Sequence, residues 1–352
     1  MNKDSKIYVA GHRGLVGSAI VRRLRFLGYE NIILKSSAEL DLTNQQAVDD
    51  FFSVEKPEYV FLAAAKVGGI LANMTYPADF IYKNLLIGIN VIHVAHRHEV
   101  KKLLNLGSSC IYPRSAPQPM LESYLLTSEF EPTNEAYAIA KIAIIKMCRY
   151  YHQQYRRNFI SVMPPNQYGE NDNFNMETAH ALPMLLRRFH LAKLIQNNDF
   201  IAIRKDLEKH PIGFGLRSEE VVLKSNAEIE HILNLLGAYW NKVVVWGDGS
   251  TYREFMNSDD LADACVYLMQ NKNSEDIGEL VNIASGTDIL LKDLFDMIKE
   301  VVGFAGVIEY DLTKPSGTPR KWMDATKIRA LGWKPKISLQ EGIKKFYQWY
   351  IK

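Results

Sequence analysis

Tyr137 and Lys141 stand four residues apart in Tyr137-Ala-Ile-Ala-Lys141. That spacing puts a phenol and an ammonium one turn apart on one face of a helix. An unperturbed phenol has a pKa of about 10, so it exchanges protons near neutrality only where a nearby cation stabilises its phenolate. Lys141 can supply that cation. A hydroxyl from Ser108 or Ser109, at the end of a preceding apolar run, would hold the oxygen that gains or loses the proton. A Tyr-x-x-x-Lys spacing alone occurs on many ordinary helices. Here it follows a glycine-rich first turn at a distance that makes it specific.

That first turn is Gly11-His-Arg-Gly14-Leu-Val-Gly17, between the apolar run Lys6–Ala10 and an amphipathic stretch ending at Gly28. A tight turn, a close approach to a pyrophosphate and close helix–strand packing each call for a residue without a Cβ. The pyrophosphate would lie on the helix N-terminus, where unpaired N–H groups and the helix dipole favour negative charge. The strand–turn–helix context gives the glycine triplet its meaning as a dinucleotide site. The second strand then discriminates between cofactors. An NAD enzyme would end it in Asp or Glu to hold the ribose 2′-hydroxyl. This chain has Lys35, then Ser36 and Ser37, with Arg13 inside the glycine loop. Cations and hydroxyls suit a 2′-phosphate, so NADPH/NADP+ is the expected cofactor.

The elements that must hold these residues alternate. Apolar strands are expected at Lys6–Ala10, Asn31–Leu34, Tyr59–Ala63, Lys102–Leu106 and Phe159–Met163. Helical patterns fall after the glycine loop, at Asn44–Val54, Ala78–His96 and Asn134–Gln154. Such alternation means right-handed crossovers and a doubly wound parallel sheet of the Rossmann class. Residues 1–165 are read as an NADP-binding domain to which the chain returns near 242–260 and 278–285. A smaller α/β substrate lobe takes up 166–352, with an inserted segment at about 195–241. In that segment Ser225 and Glu228 form a capping box, Ile229, Ile232, Leu233 and Leu236 an apolar stripe, and Gly237 a stop.

The chain has 352 residues with 47% hydrophobic and 23% charged, the balance of a globular protein with one or two domains. A formal net charge of +2 gives no reason to expect nucleic acid or an anionic membrane as partner. No run approaches the ~18 apolar residues of a membrane span, and Met1–Arg13 is too short in apolar residues for a signal-peptide core. Cys110, Cys148 and Cys265 lack metal-ligand spacing and the even count of a disulfide framework, so no metal is expected and a cytoplasmic location is.

Longer strings give a more specific indication. Ala10-Gly-His-Arg-Gly-Leu-Val-Gly-Ser-Ala19, Leu62-Ala-Ala-Ala-Lys-Val-Gly-Gly-Ile70, Leu106-Gly-Ser-Ser-Cys-Ile-Tyr-Pro113, Glu131-Pro-Thr-Asn134, Asn171-Asp-Asn-Phe174 and Gly317-Thr-Pro-Arg-Lys321 run almost the length of the chain. They resemble the extended short-chain dehydrogenase/reductases and, within them, the GDP-L-fucose synthase family. The resemblance implies that Tyr137 protonates the C4 oxygen of a GDP-linked 4-keto-deoxy sugar as NADPH reduces it, with Lys141 and Ser108 in support. It implies that Cys110 and His180 move protons at C3 and C5. A C4 ketone acidifies both neighbouring C–H groups, so an acid and a base flanking the ring can invert each centre.

The resemblance also implies a cofactor site of Gly11, Arg13, Gly14, Leu15, Val16, Gly17, Lys35, Asp41, Leu42, Ala63, Ala65, Leu106, Pro164, Asn166, Gln167 and His180, besides the catalytic residues. Substrate contacts are expected from Ser109, Cys110, Asn166, Arg188, Trp246, Arg253, Ser316 and Lys321. Arg253 suits a diphosphate because its fork binds two oxygens at once; the alternative is an ion pair with Asp259 or Asp260. A homodimer through the Ala78–His96 and Asn134–Gln154 helices is implied as well. Three residues depart from the family pattern: Pro165 where Thr is usual, Gln167 where an aliphatic residue is usual, and Ser316 where Asp is usual. All fall at the expected sugar pocket, which leaves a 4-keto-deoxyheptose and a reductase without epimerisation open. A 4,6-dehydratase would carry Asp-Glu where Ser109-Cys110 stands. A non-catalytic NADPH sensor would not need the whole Ser–Tyr–Lys set.

Overall fold

Successive residues of a strand point to opposite faces, and the first strand, β1 (Ile7–Ala10), has all four side chains buried. Ile7 and Val9 enter one hydrophobic cluster, Tyr8 and Ala10 another. The sheet that β1 joins is therefore covered on both sides. The computed structural model describes residues 1–314 and 318–352, so Ser316 lies outside the described residues.

The sheet has six parallel strands: β1, β2 (Ile32–Ile33), β3 (Tyr59–Leu62), β4 (Lys102–Leu106), β5 (Phe159–Met163) and a late strand, Val281–Asn282. Their order is Val281–Asn282, β5, β4, β3, β1, β2. This is the doubly wound arrangement that the alternating pattern predicts. The second strand is shorter than expected, and the run around 281–284 contributes only two paired residues, Val281 opposite Val162 and Asn282 opposite Met163.

Helix α1 (Leu15–Phe26) buries Ala19, Ile20 and Leu24 in the first cluster, together with residues of the helix Ser258–Asn271. On the opposite face lie α2 (Gln45–Glu55), α4 (Pro77–Arg97) and α5 (Glu135–Tyr155), with the short α3 (Ile70–Thr75) before α4. Asn44 caps α2 by accepting from the Ala47 N–H at 3.1 Å. α4 and α5 approach closely, because Gly88 leaves its space to Ile144; a Cβ there would lie 2.1 Å from Ile144 Cδ1. Beyond β5, β6 (Asn166–Tyr168) pairs in parallel with Phe255–Asn257.

Contacts divide the chain into two units. The first is Met1–Asn171, Glu254–Thr287 and Lys321–Ser338, and contains the six-stranded sheet. The second is Asp172–Arg253, Asp288–Arg320 and Leu339–Lys352. It is built on α6 (Ala181–Gln196), which packs on the helix Leu291–Val302 and α7 (Phe200–Lys209). There β7 (Lys242–Trp246) pairs in parallel with Val307–Asp311. The segment at 195–241 folds as α7, α8 (Ser218–Val221) and α9 (Asn226–Leu235), and α9 opens with the expected Ser225–Glu228 capping box. Among the described residues no helix is long and apolar enough to cross a membrane, and no cluster of potential metal ligands occurs.

Candidate active site

Gly11 has φ +80, and a Cβ on it would lie 2.9 Å from the backbone of Ala63. A Cβ on Gly17 would lie 2.1 Å from the Gly11 carbonyl oxygen. The first turn therefore closes onto itself and onto the chain just past β3, at Ala63 and Ala64, only because both residues are glycine. Gly14, whose Cβ would meet nothing closer than 3.5 Å, is the N-cap of α1 and provides no side-chain cap. The N–H groups of Leu15, Val16 and Gly17 begin the helix, where orphan donors and the dipole attract an anion. These features fit the pyrophosphate of a dinucleotide.

Arg13 and Lys35 make no ion pair with a carboxylate among the described residues. A carboxylate near both, Glu39, is held by Ser36, whose backbone N–H and hydroxyl donate to it at 2.8 and 2.5 Å. These bonds, with the two cations, hold its pKa below the usual range. Ser36 was expected to offer its hydroxyl to a phosphate; instead it is buried and bonded to Glu39. The Ser-x-x-Glu spacing of a capping box was the available signal for this pairing. Asp41 accepts from the Thr43 N–H and hydroxyl, and the Leu42 carbonyl accepts from Asn90.

At the end of β4 the chain turns through Gly107 into a short 3₁₀ helix, Ser109–Ile111. The Ser108 oxygen accepts from the Cys110 N–H at 3.2 Å, and the Ser109 N–H donates to the Pro164 carbonyl at 3.1 Å. Of the two candidate serines, Ser108 is the one beside the Tyr137 hydroxyl, and Ser109 is buried and tied to the end of β5. Tyr137 and Lys141 lie on the same face of α5, at 8% and 7% exposure. Lys141 Nζ donates to the Leu106 carbonyl at 2.7 Å and sits 5.8 Å from the Tyr137 ring centroid. Burial pulls the Lys141 ammonium down to about 8. Burial, with Cys110 adding to it, pushes the Tyr137 phenol well above its ordinary value, and the Ser108 hydrogen bond only partly offsets this. The Tyr-x-x-x-Lys spacing predicts that the Lys141 charge favours phenolate. In this structure the ammonium is engaged at Leu106 and desolvation dominates, so the phenol keeps its proton. A buried, protonated phenol beside a hydroxyl can donate a proton to an oxygen that is becoming negative.

Past β5, Pro164 and Pro165 are buried, and Asn166 Nδ2 donates to the Glu254 carbonyl at 2.9 Å. Gln167 Nε2 donates to the Pro165 carbonyl, while its Oε1 is buried without a partner among the described residues. Glu254 itself was missed by sequence reasoning. Its buried carboxylate accepts from the N–H groups of Ser285, Gly286 and Met323, tying three loops of the first unit together.

In the second unit His180 is the N-cap of α6, and His180, Met184 and Arg188 follow at four-residue spacing along that helix. His180 is exposed, yet surrounding protein lowers its imidazole pKa. Arg188 is 6% exposed and lacks a carboxylate partner among the described residues. It donates to the Val244 carbonyl at 2.7 Å, its Nε is unpartnered, and burial pulls its pKa to about 10. Trp246 ends the same strand, 50% exposed, with Lys314 Nζ 5.8 Å above its ring. Arg253 donates to the Tyr252 carbonyl rather than to Asp259 or Asp260: Asp259 pairs with Arg22, and Asp260 accepts from the Lys336 and Ile337 N–H groups. The Lys321 carbonyl accepts from the Glu254 N–H.

The model of the NAD-dependent epimerase/dehydratase family matches residues 7–207 and 219–284. The chain is 53% identical over 351 residues to GDP-L-fucose synthase 1 of Arabidopsis thaliana, covering 100% of this chain and 94% of that protein. It is 44% identical over 352 residues to GDP-L-fucose synthase of Escherichia coli K12, covering 98% and 96%. Among solved structures, a GDP-D-glycero-L-gluco-heptose synthase from Campylobacter jejuni, in the presence of NADPH, superposes with a TM-score of 0.91 at 41% identity over 100% of both chains.

Proposed function

The chain belongs to the NAD-dependent epimerase/dehydratase family, and within it we propose an NADPH-dependent oxidoreductase of the GDP-L-fucose synthase type, reducing C4 of a GDP-4-keto-6-deoxy sugar. The observation that carries this reading is the group at the ends of β4 and α5 formed by half-buried Ser108 with buried Tyr137 and Lys141. NADPH, when bound, supplies hydride to C4. Tyr137 holds a proton through neutral pH and gives it to the C4 oxygen as negative charge builds there. Ser108 donates a hydrogen bond to that oxygen. Lys141 holds the nicotinamide ribose, and its charge stabilises the phenolate left behind. Arg13 and Lys35 hold the 2′-phosphate, and the α1 N-terminus holds the pyrophosphate.

Cys110 and His180 act on the sugar before reduction, exchanging protons at C3 and C5, which makes the protein an isomerase as well. Arg188, with an unpartnered buried Nε, and Arg253 bind the diphosphate, and Trp246 offers an aromatic face to the base. Ser109, Asn166 and Lys321 complete the substrate contacts. Exposed apolar residues on α4 and α5 (Tyr82, Ile89, Ile139, Tyr150) support a homodimer through these helices. The free thiols Cys110, Cys148 and Cys265 support a cytoplasmic setting.

A second reading, a GDP-4-keto-6-deoxyheptose reductase, is favoured by Gln167. Its buried, unpartnered Oε1 is an acceptor that an additional hydroxyl would satisfy. Incubation with NADPH and 4-keto GDP-hexose or GDP-heptose in D₂O, read by NMR, tests both readings. Product stereochemistry and deuterium at C3 and C5 report epimerisation. Cys110→Ser should lose deuterium entry yet reduce an already epimerised substrate. Absence of NADPH oxidation with either sugar overturns both.

A further inference from the structure

The two stretches matched by the family model leave residues 208–218 between them. These residues lie against the loop that leads into His180. The Ile212 carbonyl accepts from the Met176 N–H at 3.1 Å, and the Phe214 N–H donates to the Glu177 carboxylate at 2.5 Å. Gly213, at φ +87, is pressed so closely that a Cβ would lie 2.6 Å from Asn175 Oδ1 and 2.7 Å from Glu177 Cβ. Asn175 Oδ1 in turn accepts from the Glu177 and Thr178 N–H groups, and the Asn175 carbonyl from the Ala179 N–H. Each step from Asn175 to the threshold of His180 is thus held by a hydrogen bond.

Both segments are anchored at one buried side chain. Arg187 has no exposure and donates to the carbonyls of Phe174, Pro211 and His210 at 2.7–2.8 Å and to Asp206 at 2.9 Å. Asp206 also accepts from the Tyr350 hydroxyl. Phe174 and His210 both pack on the Tyr350 ring. Among the described residues no hydrogen bond holds the His180 imidazole itself. Its placement therefore depends on the backbone beneath it.

We propose that residues 210–214 form a strap that positions His180 for proton exchange on the sugar, with Gly213 and Glu177 as its positioning residues. This rests on His180 acting as an acid–base group there. Proton abstraction tolerates little error, since a displacement of about 1 Å can cost on the order of 10²-fold. The Tyr137 centre lies on other elements and does not depend on the strap.

The test uses the full chain with Gly213→Ala, Glu177→Ala, Glu177→Gln and, as reference, His180→Gln. Three quantities are read: deuterium entry at C3 and C5, NADPH oxidation with a pre-epimerised 4-keto substrate, and the NMR titration of the His180 ring. Gly213→Ala and Glu177→Ala should lower deuterium entry by on the order of 10²-fold while reduction stays near wild type. Both should shift the His180 titration, and Glu177→Gln, which keeps an acceptor, should restore exchange. Wild-type exchange and an unmoved His180 titration in both variants would overturn the strap, as would reduction falling in step with exchange. If His180→Gln leaves exchange intact, or the wild type exchanges nothing, the acid–base reading of His180 fails instead. The ring titration then judges the strap alone.

Discussion

Lys141, on α5, ends on the carbonyl of Leu106, the last residue of β4, at 2.7 Å. One hydrogen bond therefore joins the helix that carries the phenol to the strand that delivers Ser108. The ammonium is held there in surroundings dry enough to pull its pKa to about 8.

A pH dependence follows. The charge is complete only well below pH 8, is half gone at about pH 8 and is lost as pH rises through that value. Ketone reduction should therefore fall on the alkaline side with an apparent pKa near 8. Lys141→Arg, which keeps its charge, should remove that limb whatever activity it retains. The check is kcat/KM against pH, and a flat alkaline profile in the wild type would contradict it. For stability the sign is separate. Between about 8 and the ordinary lysine value the unfolded chain binds more protons, so this group's contribution to stability rises with pH there.

Tyr137→Phe should cut reduction by about 10²–10⁴-fold, the usual worth of a placed general acid. Cofactor binding should hardly change, because the ring that packs edge-on against Phe80 at 6.3 Å is retained. NADPH titration beside steady-state kinetics separates the two. Retention of most turnover would remove Tyr137 from the acid's role.

Cofactor choice should respond to a single charge. Lys35→Asp should weaken NADPH by at least about tenfold, or about 1.4 kcal/mol, while leaving NADH far less affected. Dissociation constants for both cofactors decide the matter. Equal wild-type affinity for the two would refute the electrostatic argument from Arg13 and Lys35.

Arg187→Ala should destabilise the protein by about 3–5 kcal/mol, because it leaves the Asp206 carboxylate buried beside Tyr350 without its cation. Urea unfolding measures this. A loss below about 1 kcal/mol would mean that the carboxylate finds a replacement partner.

Much of the cofactor half is legible in the sequence because its signals are local. Gly11, Gly14 and Gly17 sit within seven residues, β5 occupies the predicted span, and α4 and α5 end within one residue of expectation. The Ser225–Glu228 capping box is equally short-range. What escaped depends on residues far apart. Arg187 meets Asp206 and Pro211 only after α6 and α7 have folded back, and Tyr350 joins them from 144 residues beyond Asp206. The Arg187-Arg188 tandem gives no sign that one side chain is fully buried in backbone carbonyls while its neighbour keeps a free Nε. The raised phenol of Tyr137 was likewise invisible, because desolvation is a property of the packed core and not of the Tyr-x-x-x-Lys spacing.

The pairing of β5 with Val281–Asn282 has a consequence for biosynthesis and for dissection of the gene. During translation, β5 leaves the ribosome more than a hundred residues before its outer neighbour. Through that interval the nascent sheet carries an open, apolar margin, Phe159-Ile-Ser-Val-Met163, of the kind that templates aggregation. A fragment cut after residue 171 would make that interval permanent. It would keep the glycine loop and the tyrosine, and should still collect in inclusion bodies. A soluble miniature would need Glu254–Thr287 grafted back through a short linker, so that the late strand can close the margin.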